Sequence, residues 1–145
     1  MQVITYTDPE TGGVVVVHPT GAVPLNEVIA RDVPEGVTYD VLDSSELPAD
    51  RVFRDAWRKN GSQVTEELQA SKEVCHNHRR VKRAQEFEPH DNVIMKQIPG
   101  VDLTAAEAAR QEIRTKHDQL QVDIDAAQSP EELKALLAQA SISVQ

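Results

Sequence analysis

The sequence predicts an α+β protein: a small N-terminal antiparallel β-sheet with a short helix, followed by a long C-terminal α-helical hairpin. Three observations lead there. β-Branched runs broken by Pro and Gly dominate the chain up to Asp43; apolar residues recur every three or four positions from Ala106 to Ala127; and two N-capping motifs open helices in the C-terminal half.

Val3–Thr7 and Val14–His18 are β-branched runs joined by Asp8-Pro-Glu-Thr-Gly-Gly13, which reads as a β-hairpin. After Pro19 and Gly21, the stretch Pro24–Arg31 carries Leu25, Val28 and Ile29 on one helical face and ends before Pro34. Val37–Asp43 returns to strand character. A sheet this small leaves its edges open unless another protein covers them. Ser44–Pro48 is loop-like. Asp50 is placed to cap a short helical turn running to Trp57, on which Phe53 and Trp57 share a face at i and i+4. Asn60-Gly61 marks a turn.

A long helix is expected from about Thr65 to Glu88, with a thin apolar stripe of Ala70, Val74, Val81 and Ala84, and with Pro89 kinking or ending it. Pro99-Gly100 breaks the chain again. Asp102 or Thr104 then opens a helix on which Ala106, Ala109, Ile113, His117, Leu120, Ile124 and Ala127 form the clearest periodic stripe of the sequence. Ser129-Pro-Glu-Glu132 is a capping box with Pro at the first helical position, leading into Leu133, Leu136, Leu137 and Ala140. The expected division is a β-rich docking domain, 1–64, and a helical oligomerisation region, 65–145.

Composition narrows the classes of function. The 145 residues carry a net charge of -9, with five basic and ten acidic residues in 1–64 against ten and fourteen in 65–145, which weakens a general role on nucleic acid or anionic membranes. Aromatics are 3%, and only Phe87 lies beyond Trp57, so the helical half packs through Ala, Val, Ile and Leu. Helices of this kind bury little area per residue, and the periodic stripe on the second long helix predicts oligomers or a larger assembly. Mean hydropathy is -0.46 and no apolar run approaches the roughly 20 residues of a membrane span. The single Cys75 excludes an internal disulfide, and the N-terminal residues lack the basic and apolar regions of a signal peptide; both point to synthesis in a reducing cytoplasm.

Candidate chemistry is sparse. Cys75 and His78 share a helical face near His76 and His90, but a structural zinc site needs four ligands and no second Cys or clean His pair completes one. His76-Asn-His78 lies within one charged helix, not on the hairpin and helix that a nuclease of that motif requires. Arg79-Arg-Val-Lys-Arg83 is the one basic cluster, read as a solvated face paired with Glu86, Glu88 and the acids of the neighbouring helix. Glu86, Glu88, His90 and Asp91 fall at an exposed helix break, without a pocket to shift a pKa. His117 reads as a hydrogen-bonded core or interface histidine. No phosphate loop and no Ser-His-Asp order is present. The expectation is a protein that catalyses nothing and holds no metal or cofactor.

The segment Leu47-Pro-Ala-Asp-Arg-Val-Phe-Arg-Asp-Ala-Trp57 resembles one found in small tail or tail-fibre-associated proteins of tailed bacteriophages and prophages, and Phe87-Glu-Pro-His-Asp-Asn-Val-Ile-Met-Lys-Gln-Ile-Pro-Gly100 is a second similar stretch. The likeness covers most of residues 25–137. It implies a non-enzymatic structural component of a bacteriophage tail, at the tail or tail-fibre attachment region, assembled in the host cytoplasm and resident in the virion. A tail-fibre assembly chaperone that leaves the particle is the alternative within that class. A DNA- or metal-binding regulator using Arg79–Arg83 and Cys75/His78 is the alternative outside it. The expected partners are other phage tail or tail-fibre proteins and copies of this chain, without membrane or nucleic acid. The expected interaction and structural anchors are Arg51, Phe53, Arg54 and Trp57, the residues that join the two halves.

Overall fold

In the computed structural model, which describes residues 1–144, the N-terminal β-branched runs form the predicted hairpin. Strand β1 (Gln2–Thr7) pairs antiparallel with β2 (Val14–Val17), Ile4 opposite Val17 and Thr7 opposite Val14. The turn is shaped by Asp8, whose carboxylate accepts from the Glu10 amide at 2.9 Å and the Thr11 hydroxyl at 3.0 Å. Helix α1 (Leu25–Asp32) buries Val28 and leads into β3 (Tyr39–Asp43), which lies on the other side of β1. The sheet order is β2-β1-β3. Successive strand residues face opposite sides, so four consecutive buried residues (Val3, Ile4, Thr5, Tyr6) mean that both faces of β1 are covered.

A second sheet follows, absent from the sequence reading. β4 (Trp57–Asn60) and β5 (Gln63–Glu66) form an antiparallel hairpin with Asn60 opposite Gln63. Its two-residue loop places Gly61 first, at φ +63°, the arrangement of a type II′ turn, whose twist matches the flanking strands. The expected helical turn through Trp57 is therefore limited to a 3-10 turn, Arg54–Ala56, after which Trp57 starts a strand at φ -65°, ψ 133°. β4 packs on β1 and β2. Trp57, Val64 and Val14 form a core cluster, with Val16, Leu42 and Leu47 around it. The Lys59 ammonium crosses between sheets, pairing with Asp40 and donating to the Thr5 carbonyl at 3.3 Å.

The chain divides into two compact units, Met1–Ser71 and Lys72–Gln145, later than the expected boundary at 64/65 because β5 belongs to the first unit. Helix α2 (Leu68–Lys96) starts after the Glu67 carboxylate takes up the free amides of Gln69 (3.1 Å) and Ala70 (2.6 Å). It continues through Pro89 instead of ending there. A proline inside a helix costs roughly 3 kcal/mol. Contacts on both sides of Pro89 offset that cost: Phe87 lies under Arg110 and Arg114, and Asp91 pairs with Arg110 at 2.9 Å.

Helix α3 (Leu103–Ala126) is capped by Asp102, which accepts from the Thr104 amide at 2.8 Å. His76–Asp125, Glu86–His117 and Asp91–Arg110 run in opposite chain directions, so α2 and α3 form the predicted antiparallel hairpin. Helix α4 (Pro130–Gln139) begins at Ser129, whose hydroxyl accepts from the Glu132 amide, and buries Leu133 and Leu137.

Two expectations about these helices are corrected. The periodic stripe of α3 is not left open for other chains: Ala106, Ile113, His117, Leu120, Ile124 and Ala127 are all buried within the unit. On α2 the buried positions are Ser71, Cys75 and Arg79, whereas Val81 and Ala84 are exposed. The i, i+4, i+8 spacing is kept, but small, polar and charged side chains occupy it.

Candidate functional site

The segment 47–57 is held by turns on both sides. Asp43 caps the 3-10 turn Ser44–Glu46 by accepting from the Ser45 amide at 3.0 Å, and Glu46 returns a bond to the Asp43 amide at 2.8 Å. Asp50 accepts from the Val52 amide at 3.1 Å, and the 3-10 turn is closed by Ala56 N to Phe53 O at 2.9 Å. A further backbone bond from Glu67 N to Ala56 O, at 2.9 Å, ties the segment to the end of β5.

These turns place the four anticipated anchors differently. Phe53 is fully buried and Trp57 is 4% exposed, so both rings are core groups of the first unit. The Arg54 guanidinium stacks over the Trp57 ring at 4.5 Å. Burial pulls the pKa of Arg54 below its ordinary value, repulsion from Arg51 adds to this, and Asp55 opposes it. Arg51 is exposed. Arg51, Arg54 and Trp57 meet at a cleft of about 280 Å³ whose other walls include Val16, His18 and Leu47. Of the four residues singled out from the sequence, three line one cleft and Phe53 is a core residue. Val16 and His18 were not anticipated there, since only strand pairing brings β2 to the segment.

The cleft offers two guanidinium groups and one imidazole over an apolar floor. That arrangement suits a carboxylate or phosphate carried next to apolar surface. Ser44 and Pro48 complete its lining.

The groups considered for metal or acid–base chemistry are dispersed along α2. Cys75 is fully buried, and burial pushes its thiol up to about 11, so it stays protonated near neutral pH. His76 turns instead to Asp125, at 2.8 Å. Among the described residues no three His, Cys, Asp or Glu side chains come together in a way that would hold a metal ion. His117 is 1% exposed and meets the Glu86 carboxylate at 3.0 Å through Nε2. Burial raises the pKa of Glu86, but hydrogen bonds from Lys116 (2.7 Å) and His117 outweigh it and leave the carboxyl below its ordinary range. Glu86 is thus engaged by α3, not by the basic cluster of its own helix.

No helix among the described residues is long and apolar enough to cross a membrane. Compared with protein-family models, curated proteins and solved structures, the chain matches none.

Proposed function

We propose that this protein is a non-enzymatic structural component of a bacteriophage tail, at the tail or tail-fibre attachment region, working through protein–protein contacts. One observation of the structure carries the emphasis on contacts. At the turn between α2 and α3, Met95 (78% exposed), Ile98, Val101 and Leu103 all face solvent. Large apolar side chains gathered at one end of a helical hairpin favour burial by another protein. The tail assignment rests on the likeness of 47–57 and 87–100 to tail-associated proteins, and the second of these stretches leads into that apolar tip.

An assembly chaperone would present similar surface. Mass spectrometry of purified particles, from a phage whose genome encodes this chain, separates the two. A structural component is recovered at fixed stoichiometry with the tail proteins. A chaperone is abundant in the infected-cell lysate and missing from the finished particle. Absence from the particles, together with no association with tail or fibre proteins in the infected-cell lysate, would refute the whole class.

A further inference from the structure

Arg79 is 6% exposed, yet among the described residues no hydrogen bond or ion pair reaches its guanidinium, and its Nε is buried without an acceptor. A buried N–H donor in that condition is unfavourable, and the rest of the guanidinium is left free to take a partner from the cleft. Burial, followed by repulsion from Arg80 and Arg83, lowers its pKa, and Asp118 and Asp125 offset this only in part. Arg79 lines a cleft of about 550 Å³ together with Arg80, Arg83, Phe87, Asp91 and Asp118. The carboxylates already present do not complete Arg79: Asp91 is taken by Arg110, and Asp118 acts on Arg79 only at a distance. Arg83 stacks on Phe87 at 4.8 Å and Arg80 bonds only the Asn77 amide oxygen at 2.9 Å, so neither cation has a carboxylate partner among the described residues.

We infer that this cleft is a docking site for an acidic segment of a partner protein, with Arg79 taking one carboxylate in bidentate fashion and Arg80 and Arg83 flanking it. Guanidinium forks match carboxylate geometry, and desolvation by the cleft strengthens the pairing. Nucleic acid fits less well. The basic residues span about one helical turn, Asp91 and Asp118 repel closely spaced phosphates, and Phe87 is covered by Arg83, Arg110 and Arg114 instead of open for base stacking. The overall charge of -9 also disfavours a polyanion, while a few carboxylates on a docking protein meet only the local field. The inference does not depend on the phage assignment.

The test is fluorescence anisotropy of the full chain with labelled hexaglutamate, and with labelled hexathymidylate in parallel. Hexaglutamate is expected to bind in a salt-sensitive way, and to bind roughly tenfold or more weakly to Arg79→Met and to Arg83→Gln. Lys96→Gln, outside the cleft, should leave binding unchanged. Asp118→Asn should tighten it by removing a competing charge. Arg79→Met should also melt at or above the unaltered temperature, since it removes a buried donor that has no acceptor; a purely structural Arg79 would give a less stable variant. Should Arg79→Met fail to fold, Arg83→Gln and Asp118→Asn still decide the matter. Equal hexaglutamate binding by the unaltered chain and Arg83→Gln, no binding at millimolar peptide, weaker binding to Asp118→Asn, or tighter binding of hexathymidylate would each overturn the inference.

Discussion

Replacing Trp57 with alanine should unfold the first unit or bring it close to unfolding. The ring is 4% exposed and centres a cluster with Val14 and Val64, bordered by Val16, Leu42 and Leu47. Large-to-small changes of this kind cost about 3–5 kcal/mol, because the cavity adds to the lost transfer energy. A unit spanning Met1–Ser71 holds only about 4–11 kcal/mol in total, at the usual roughly 0.05–0.15 kcal/mol per residue. At about 4–8 °C per kcal/mol for such a size, the midpoint should fall by at least about 12 °C. Trp57→Phe is the informative control. The indole Nε1 is buried without an acceptor. Its removal relieves a donor whose burial costs roughly 1–3 kcal/mol, which offsets much of the lost ring area. Thermal and urea melts followed by circular dichroism, with binding of tail proteins measured in parallel, read both effects. An unchanged midpoint in Trp57→Ala would refute the core assignment. Destabilisation by Trp57→Phe equal to that by Trp57→Ala would refute the account of the unsatisfied indole.

Three further outcomes follow from the structure. Because the Glu86 carboxyl titrates below its ordinary range when folded, the unfolded chain takes up that proton first on acidification. The stability Glu86 supplies is present above the ordinary glutamate value of about 4.3 and is lost as pH falls through the lower folded value; Glu86→Gln should flatten that part of a pH–stability curve. Cys75, fully buried and with its thiol raised to about 11, should resist iodoacetamide at pH 8 in the folded protein and react once urea unfolds it. Lys59→Ala should destabilise the first unit, though by less than the roughly 3–5 kcal/mol of a fully buried pair, since the Asp40 side chain keeps 33% exposure; denaturant titration reads the difference.

What the sequence disclosed and concealed has physical reasons. The first hairpin, α1, β3 and the α2–α3 hairpin were legible because β-branched runs, Pro and Gly breaks and a sustained period of three to four carry their own signal. The β4–β5 hairpin was not. Its strands are four residues each, and Arg58 and Lys59 mask the alternation although Lys59 is a buried member of an ion pair. The Asn60-Gly61 turn is visible in the sequence, but the spacing of Phe53 and Trp57 assigns Trp57 to a helix. Spacing of i and i+4 fits a helical face, whereas tertiary packing turned the chain into a strand at Trp57.

That the Phe53 and Trp57 rings are buried was legible for a simpler reason. In a chain with 3% aromatics, two rings within five residues have few roles besides core formation. Arg79 was the opposite case. Arg-Arg-Val-Lys-Arg reads as a solvated face, and nothing local distinguishes Arg79 from Arg80. Only the helix phase shared with Cys75, together with the approach of α3, buries one and leaves the other in solvent.

Electron microscopy of purified particles decorated with a gold-labelled antibody against this chain tests the proposed place in a phage tail. A tail component should carry label at one constant position on the tail or at the fibre attachment region. Particles without label, or label confined to the capsid, would contradict it.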